Sequence, residues 1–151
     1  MFRFFGIATF IFFATQMGLL TATPVAAGDR PVITVYKSPT CGCCGAWIEH
    51  LRKNGFEARV HEVPDATPYQ AKYGVPEALG SCHTAVIDGY AVEGHVPAAD
   101  IKRLLRERPR ARGIAVPGMP MGSPGMPGPR NDPYETLLFD ASGKYLVFER
   151  H

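Results

Sequence analysis

Residues 32–56 read VITVYKSPTCGCCGAWIEHLRKNGF, and the architecture of the chain follows from them. Val32 to Tyr36 is β-branched and apolar, the pattern of a buried strand. Lys37-Ser38-Pro39-Thr40 turns the chain. Cys41 to Asn54 then reads as a helix, because Cys44, Trp47, Ile48 and Leu51 recur at three- and four-residue spacing on one face. Thr40 is the expected N-cap. Asn54-Gly55-Phe56 is a stop signal: glycine takes the left-handed conformation and Phe56 packs back on the helix. Phe56 to Val63 alternates as a second strand, which a right-handed crossover sets parallel to the first.

Working outward, Thr67-Pro68 opens a short helix that runs to Tyr73 and ends at Gly74. Thr84 to Ile87 is a third strand, Asp88-Gly89 a hairpin turn, and Ala91 to His95 the returning strand. Pro97 to Arg106 is amphipathic, with Ile101, Leu104 and Leu105 inward and Lys102, Arg103 and Arg106 outward. Residues 113–133 are so dense in Gly and Pro that no regular element is expected there. Glu135 to Phe139 and Lys144 to Phe148 form a last hairpin across Asp140 to Gly143. The fold class is α/β. The order β-α-β-α-β-β-α is that of a thioredoxin/glutaredoxin-like sheet with flanking helices, and the C-terminal β-hairpin is an addition.

Phe4 to Leu20 is uncharged and apolar, follows Arg3, and precedes Pro24-Val25-Ala26-Ala27. These are the three parts of an export signal, with cleavage expected after Ala27. The stretch is short for a membrane span, so no permanent anchor is expected. The chain then divides into a signal peptide, residues 1–27, and one domain, residues 28–151, with a Met/Gly/Pro-rich loop at 113–133. The 151 residues carry a net charge of +2, from 16 basic and 14 acidic side chains. That balance, with no Lys/Arg cluster, argues against a nucleic-acid partner.

Three of the four cysteines fall in Cys41-Gly42-Cys43-Cys44, where a strand meets a helix. The positive helix end favours a thiolate, which is both nucleophile and metal ligand. Cys41 and Cys44 form the C-x-x-C pair of a redox protein. Cys43 is superfluous to that chemistry. The fourth cysteine lies in Ser81-Cys82-His83-Thr84. In a thioredoxin-like fold this segment passes beside the C-x-x-C and normally carries a cis-proline; here His83 stands about where that proline would be. The fold would therefore gather four thiols and an imidazole. Two structural disulfides are the plain alternative, but three cysteines in one turn close almost no loop.

Met119, Met121 and Met126 lie in the Gly/Pro-rich stretch, poorly placed as core filler. Thioethers with thiolates select Cu(I) over hard ions. Zinc needs no thioether, and the C-x-C-C spacing is tight for one tetrahedral ion. His95 is a secondary candidate ligand below His83. His50 is expected to face water, His61 to be a surface or half-buried residue, and His151 is the terminal residue. Trp47 either shields the site or fills the core.

Thr40-Cys41-Gly42-Cys43-Cys44 with Trp47, Ser81-Cys82-His83-Thr84-Ala85, Gly94-His95-Val96-Pro97, Val116-Pro117-Gly118-Met119-Pro120 and Ser123-Pro124-Gly125-Met126 together resemble the CopG type of small exported bacterial proteins. The resemblance spans roughly residues 32 to 148. It implies a thioredoxin-like fold, export to the periplasm, a part in copper resistance, and copper bound through the cysteines. The leading expectation is a copper-binding protein in which Cys41, Cys43, Cys44 and Cys82 hold Cu(I), with His83, His95, Met119, Met121 and Met126 completing or covering the site. A multinuclear site, cycling between Cu(I) and Cu(II), belongs to that expectation. Copper efflux or chaperone proteins are the candidate partners. The enzymatic alternative is a thiol-disulfide oxidoreductase in which Cys41 attacks and Cys44 resolves. A metal-free, disulfide-stapled interaction module is the third reading, and no recognition surface supports it.

Overall fold

A computed structural model describes residues 30–151. The expected export signal and its cleavage point at Ala27 lie outside the described residues. Strand β1 (Val32–Lys37) leads into helix α1 (Gly42–Lys53), strand β2 (Glu57–Glu62) and helix α2 (Thr67–Tyr73). After a single 3-10 turn at Glu77–Leu79 come β3 (His83–Ile87), β4 (Tyr90–Gly94) and helix α3 (Ala98–Glu107). Three strands close the chain: β5 (Gly113–Val116), β6 (Glu135–Phe139) and β7 (Tyr145–Arg150).

All seven strands form one sheet in the order β2-β1-β3-β4-β5-β6-β7. Strands β1 and β2 are parallel, as the short β-helix-β unit requires, and β3 runs antiparallel to both β1 and β4. This is the thioredoxin-like α/β arrangement with a C-terminal hairpin. No cis peptide bond occurs among the described residues.

Strand alternation sorts the core into two layers. Ile33, Val35, Ala85, Ile87, Val92, Ile114 and Val116 meet Trp47, Ile48 and Leu51 of α1 and Ala98, Ile101 and Leu104 of α3. On the opposite face Ala91, Ala115, Leu137 and Phe139 pack with Val75 and Leu79. Helix α1 ends as its sequence demands. Gly55 takes φ +92°, its N–H reaches Arg52 O at 3.1 Å, and Phe56 N–H reaches Leu51 O at 3.1 Å. Those are the two bonds of a Schellman cap. The Asp88-Gly89 turn has φ of 49° and 84°, as a two-residue hairpin with the sheet's twist needs.

One expectation is overturned. Gly113–Val116 is not irregular: it is a strand, parallel to β4 and antiparallel to β6, and buried throughout. The Gly/Pro density belongs to the residues from Pro117 onward. Averaging over the whole window hid four residues, Gly-Ile-Ala-Val, that fit a two-sided buried strand. Because β5 joins β4 to β6, the last hairpin continues the main sheet. No helix among the described residues is long and apolar enough to cross a membrane.

Gly94 ends β4 with φ +71°, and a Cβ there would run into the backbone oxygen of Val116. Gly55 also has positive φ but open space around it. Gly55→Ala is therefore expected to cost only the left-handed backbone penalty, about 1–2 kcal/mol. Gly94→Ala is expected to cost at least about 1 kcal/mol more, from forced displacement of β5. Urea unfolding of the two variants measures the difference; equal costs would mean that β5 yields freely.

Candidate metal centre

The site begins at the N-terminus of α1. Cys41, not Thr40, occupies the N-cap position, with φ −80° and ψ 94° and no side-chain capping bond. Thr40 is drawn away because its Oγ1 pairs with Ser38 Oγ at 3.0 Å. The three cysteines thus share the first helical turn. Cys44 is fully buried among the core residues, and Cys41 and Cys43 are half-buried.

Cys41 and Cys44 are joined in a disulfide, while Cys43 and Cys82 are free. Each free thiol lies against one end of that bond: Cys43 Sγ is 3.4 Å from Cys41 Sγ, and Cys82 Sγ is 3.4 Å from Cys44 Sγ. All four sulfurs fall within 4.8 Å of one another.

A second group meets the first at Cys82. His83 opens β3 and His95 follows β4, so the hairpin delivers both imidazoles to the same strand ends. Cys82 Sγ is 3.5 Å from His83 Nδ1 and 3.5 Å from His95 Nε2, and donor atoms of the three lie within 4.8 Å of one another. His95 Nδ1 sits 2.8 Å from Pro124 O. A carbonyl only accepts, so Nδ1 carries the proton and Nε2 turns its lone pair to the sulfur. His83 is fully buried, its ring 4.3 Å from that of Trp47, and its Nε2 has no hydrogen-bond partner. His95 is as buried as His83, and both imidazoles lie 3.5 Å from the same sulfur.

Burial pushes the His83 pKa down to about 3, with the neighbouring His95 adding to the effect. Burial likewise holds His95 below the ordinary imidazole range, against its bond to Pro124. Both rings are therefore neutral near pH 7, the form that binds metals. Burial, then Cys43, pushes the Cys82 thiol up to about 11. A cation would reverse that preference by stabilising the thiolate. Thiolates and imidazoles select soft or borderline ions over Mg²⁺ and Ca²⁺. With Cys41 and Cys44 bonded to each other, only Cys43 and Cys82 offer thiol sulfurs; two-electron reduction supplies all four.

Glu93 is a residue the sequence reading did not single out. It is fully buried on the α2 side of β4. Its Oε1 accepts from Ser81 N–H at 2.6 Å and from Gln70 Nε2 at 2.9 Å, and its Oε2 accepts from Thr84 Oγ1 at 2.8 Å. These bonds hold the residues on either side of Cys82 and His83. The available signal was a carboxylate inside an otherwise apolar strand, which is rarely buried without partners.

The methionine loop reaches the site through its backbone. Gly125 packs on α1 so closely that a Cβ would lie 2.7 Å from Trp47 N and 2.8 Å from Cys43 O. Met126, half-buried, follows directly. Met121 packs against Gly128 within the loop, and Met119 is 40% exposed. His50 does not face water as expected: its Nε2 accepts Ala98 N–H at 3.0 Å and so caps α3. His61 is exposed and stacks on Tyr36 with centroids 5.2 Å apart. His151 lies 2.9 Å from buried Asp100, remote in sequence from the cysteines.

Burial raises the Glu93 pKa to about 7. A carboxyl whose folded value exceeds its unfolded value stabilises the fold at low pH, and that contribution disappears as pH rises through the folded value. Glu93 should therefore remove on the order of 2–3 kcal/mol of stability between about pH 4.5 and pH 7. Glu93→Gln mimics the protonated form and should flatten that slope. Chemical denaturation across this range compares the two; parallel profiles would show that Glu93 stays ionised in the fold.

Residues 79–126, the segment that carries Cys82, His83, His95 and the methionines, match a family described as "Protein of unknown function, DUF411". No curated protein matches the chain. Two solved structures do, named "Copper resistance protein copG", Form 2 and Form 1. Each is 48% identical and covers 82% of this chain; the match spans 99% of the Form 2 chain and 98% of the Form 1 chain, with TM-scores of 0.77 and 0.76. At that identity over nearly the full length of those structures, the chain belongs to the CopG family of copper resistance proteins.

Proposed function

We propose that this protein serves copper resistance by binding Cu(I) in its reduced state, through Cys41, Cys43, Cys44 and Cys82 with His83 and His95. The observation that carries this reading is the convergence of four sulfurs and two buried imidazoles at one helix N-terminus. The copper-resistance names of its 48%-identical relatives support the choice of metal. Neighbouring sulfurs 3.4 Å apart suit bridging thiolates, so more than one Cu(I) per chain is proposed. Met126 follows Gly125, which packs on α1, and would cover the site; Met119 and Met121 come earlier in the same loop.

Imidazole beside thiolate tolerates both Cu(I) and Cu(II), so the site would also support cycling between them. An exported protein of this kind would buffer copper in the periplasm or pass it to an efflux or chaperone protein. The second reading, a thiol-disulfide oxidoreductase using Cys41 and Cys44, draws support from the Cys41–Cys44 disulfide. Against it stands Cys43, whose sulfur crowds Cys41 and has no role in a two-cysteine cycle.

An anaerobic Cu(I) titration against a strong Cu(I) chelator tests the proposal. Fully reduced protein should retain copper, at more than one ion per chain by mass spectrometry. Protein with the Cys41–Cys44 disulfide intact should lose at least half of that capacity, since two of four sulfurs are withdrawn. Cys82→Ser should lower affinity or stoichiometry, because it removes the sulfur common to both donor groups. Equal copper retention by reduced, oxidised and Cys82→Ser protein would contradict the reading, as would failure of reduced protein to compete at all.

A further inference from the structure

We infer, on the copper reading above, that Glu93 and Gln70 are the positioning residues of the metal centre: from the α2 side of the sheet they clamp the Cys82-His83 dipeptide at both ends and so set the affinity for Cu(I). Neither residue belongs to the two donor groups. His83 turns its ring to Trp47 of α1, whereas Glu93 alternates with Val92 and shares its face with Ala91, which packs on the opposite side.

Ser81, immediately before Cys82, is held at both of its backbone groups. Its N–H donates to Glu93 Oε1 at 2.6 Å, and its C=O accepts from Gln70 Nε2 at 2.9 Å. The same Gln70 amide donates to Glu93 Oε1 at 2.9 Å, which closes a ring of three residues. Thr84, immediately after His83, donates its hydroxyl to Glu93 Oε2 at 2.8 Å and pairs with Glu93 across the β3–β4 ladder. Between these two fixed points lies Cys82, whose Sγ is 3.4 Å from Cys44 Sγ and 3.5 Å from each imidazole. Gly80 lets Gln70 come this close, because a Cβ there would lie 3.2 Å from Gln70 Oε1.

A fully buried carboxyl group is costly to desolvate, and Ala91 and Val92 on the same strand are apolar. What Glu93 adds is direction: three donors, from α2, from the segment before β3 and from β3 itself, converge on its two oxygens. Direction matters for a metal centre, whose bonds tolerate deviations of only about 0.2 Å. Groups behind the ligands accordingly govern affinity by about 10- to 100-fold. Helix α2 buries no residue of its own. Tyr69 and Tyr73 hold it by stacking on Tyr36, with centroids 4.0 and 5.9 Å apart. The Gln70 amide can therefore be removed while those aromatic contacts stay.

Competition of reduced protein with a strong Cu(I) chelator, on variants first shown to be folded by circular dichroism, tests the clamp. Gln70→Leu and Glu93→Leu should each weaken Cu(I) retention by about 10- to 100-fold. Glu93→Gln keeps an oxygen for Ser81 N–H and Gln70, and should regain most of that loss. Gly55→Ala lowers stability at the far end of α1 and should retain copper as the parent does. Should Glu93→Leu fail to fold, Gln70→Leu decides alone. Parent-like retention by Gln70→Leu would overturn the clamp, as would an equal loss in Gly55→Ala, which would reduce the effect to general stability. Failure of the parent itself to compete would instead contradict the copper reading.

Discussion

The indole of Trp47 ties the functional end of the molecule together. It is fully buried, its ring lies 4.3 Å from His83, and its N–H donates to Val96 O at 2.8 Å. Through that one side chain α1 is fixed to the start of β3 and to the turn between β4 and α3. Its backbone is also the floor on which Gly125 of the methionine loop rests. Four cysteines from two distant segments can meet only if the first turn of α1 stays level with the ends of β3 and β4. Trp47 sets that level from inside the core, and His50 reinforces it from the next turn by capping α3 at 3.0 Å.

Within that frame burial sets the charge state of the donor atoms. Two imidazoles are kept neutral by burial, and burial keeps the Cys82 sulfur as a thiol. Desolvated soft donors are costly to charge alone and are compensated when a metal arrives, which couples binding to proton release. The same packing puts free thiols at both ends of a disulfide. With Cys41 and Cys44 bonded to each other, only Cys43 and Cys82 keep free thiols, so the redox state of that pair sets how many sulfurs are open to a ligand.

Much of this was legible in the residues. The strand-helix-strand unit, Gly74 as a helix stop, the Asp88-Gly89 turn and the meeting of Cys82-His83 with C-x-C-C all rest on local signals or on the topology those signals imply. What escaped is what only tertiary context decides. Thr40 has good N-cap chemistry but spends its hydroxyl on Ser38. Gly113–Val116 is too short to stand out beside the Pro-rich run that follows, and is a strand because β4 and β6 flank it. His50 has a polar neighbour in Glu49, yet its ring turns to α3. Glu93 sits inside one short strand and was not singled out; His95, just beyond it, was a secondary candidate whose partners were not foreseen. Their value comes from Ser81, Gln70, Cys82 and Pro124, none of which neighbours them in sequence.

The central claim is that sulfur from both segments, joined by imidazole, forms one copper site. Copper K-edge X-ray absorption of the reduced, Cu(I)-loaded protein measures this directly. The account predicts a first shell dominated by sulfur with a nitrogen contribution that falls when His95 is replaced, and a copper–copper scattering path from bridging thiolates. A shell of nitrogen and oxygen alone, unchanged by loss of Cys82 or His95, would contradict it.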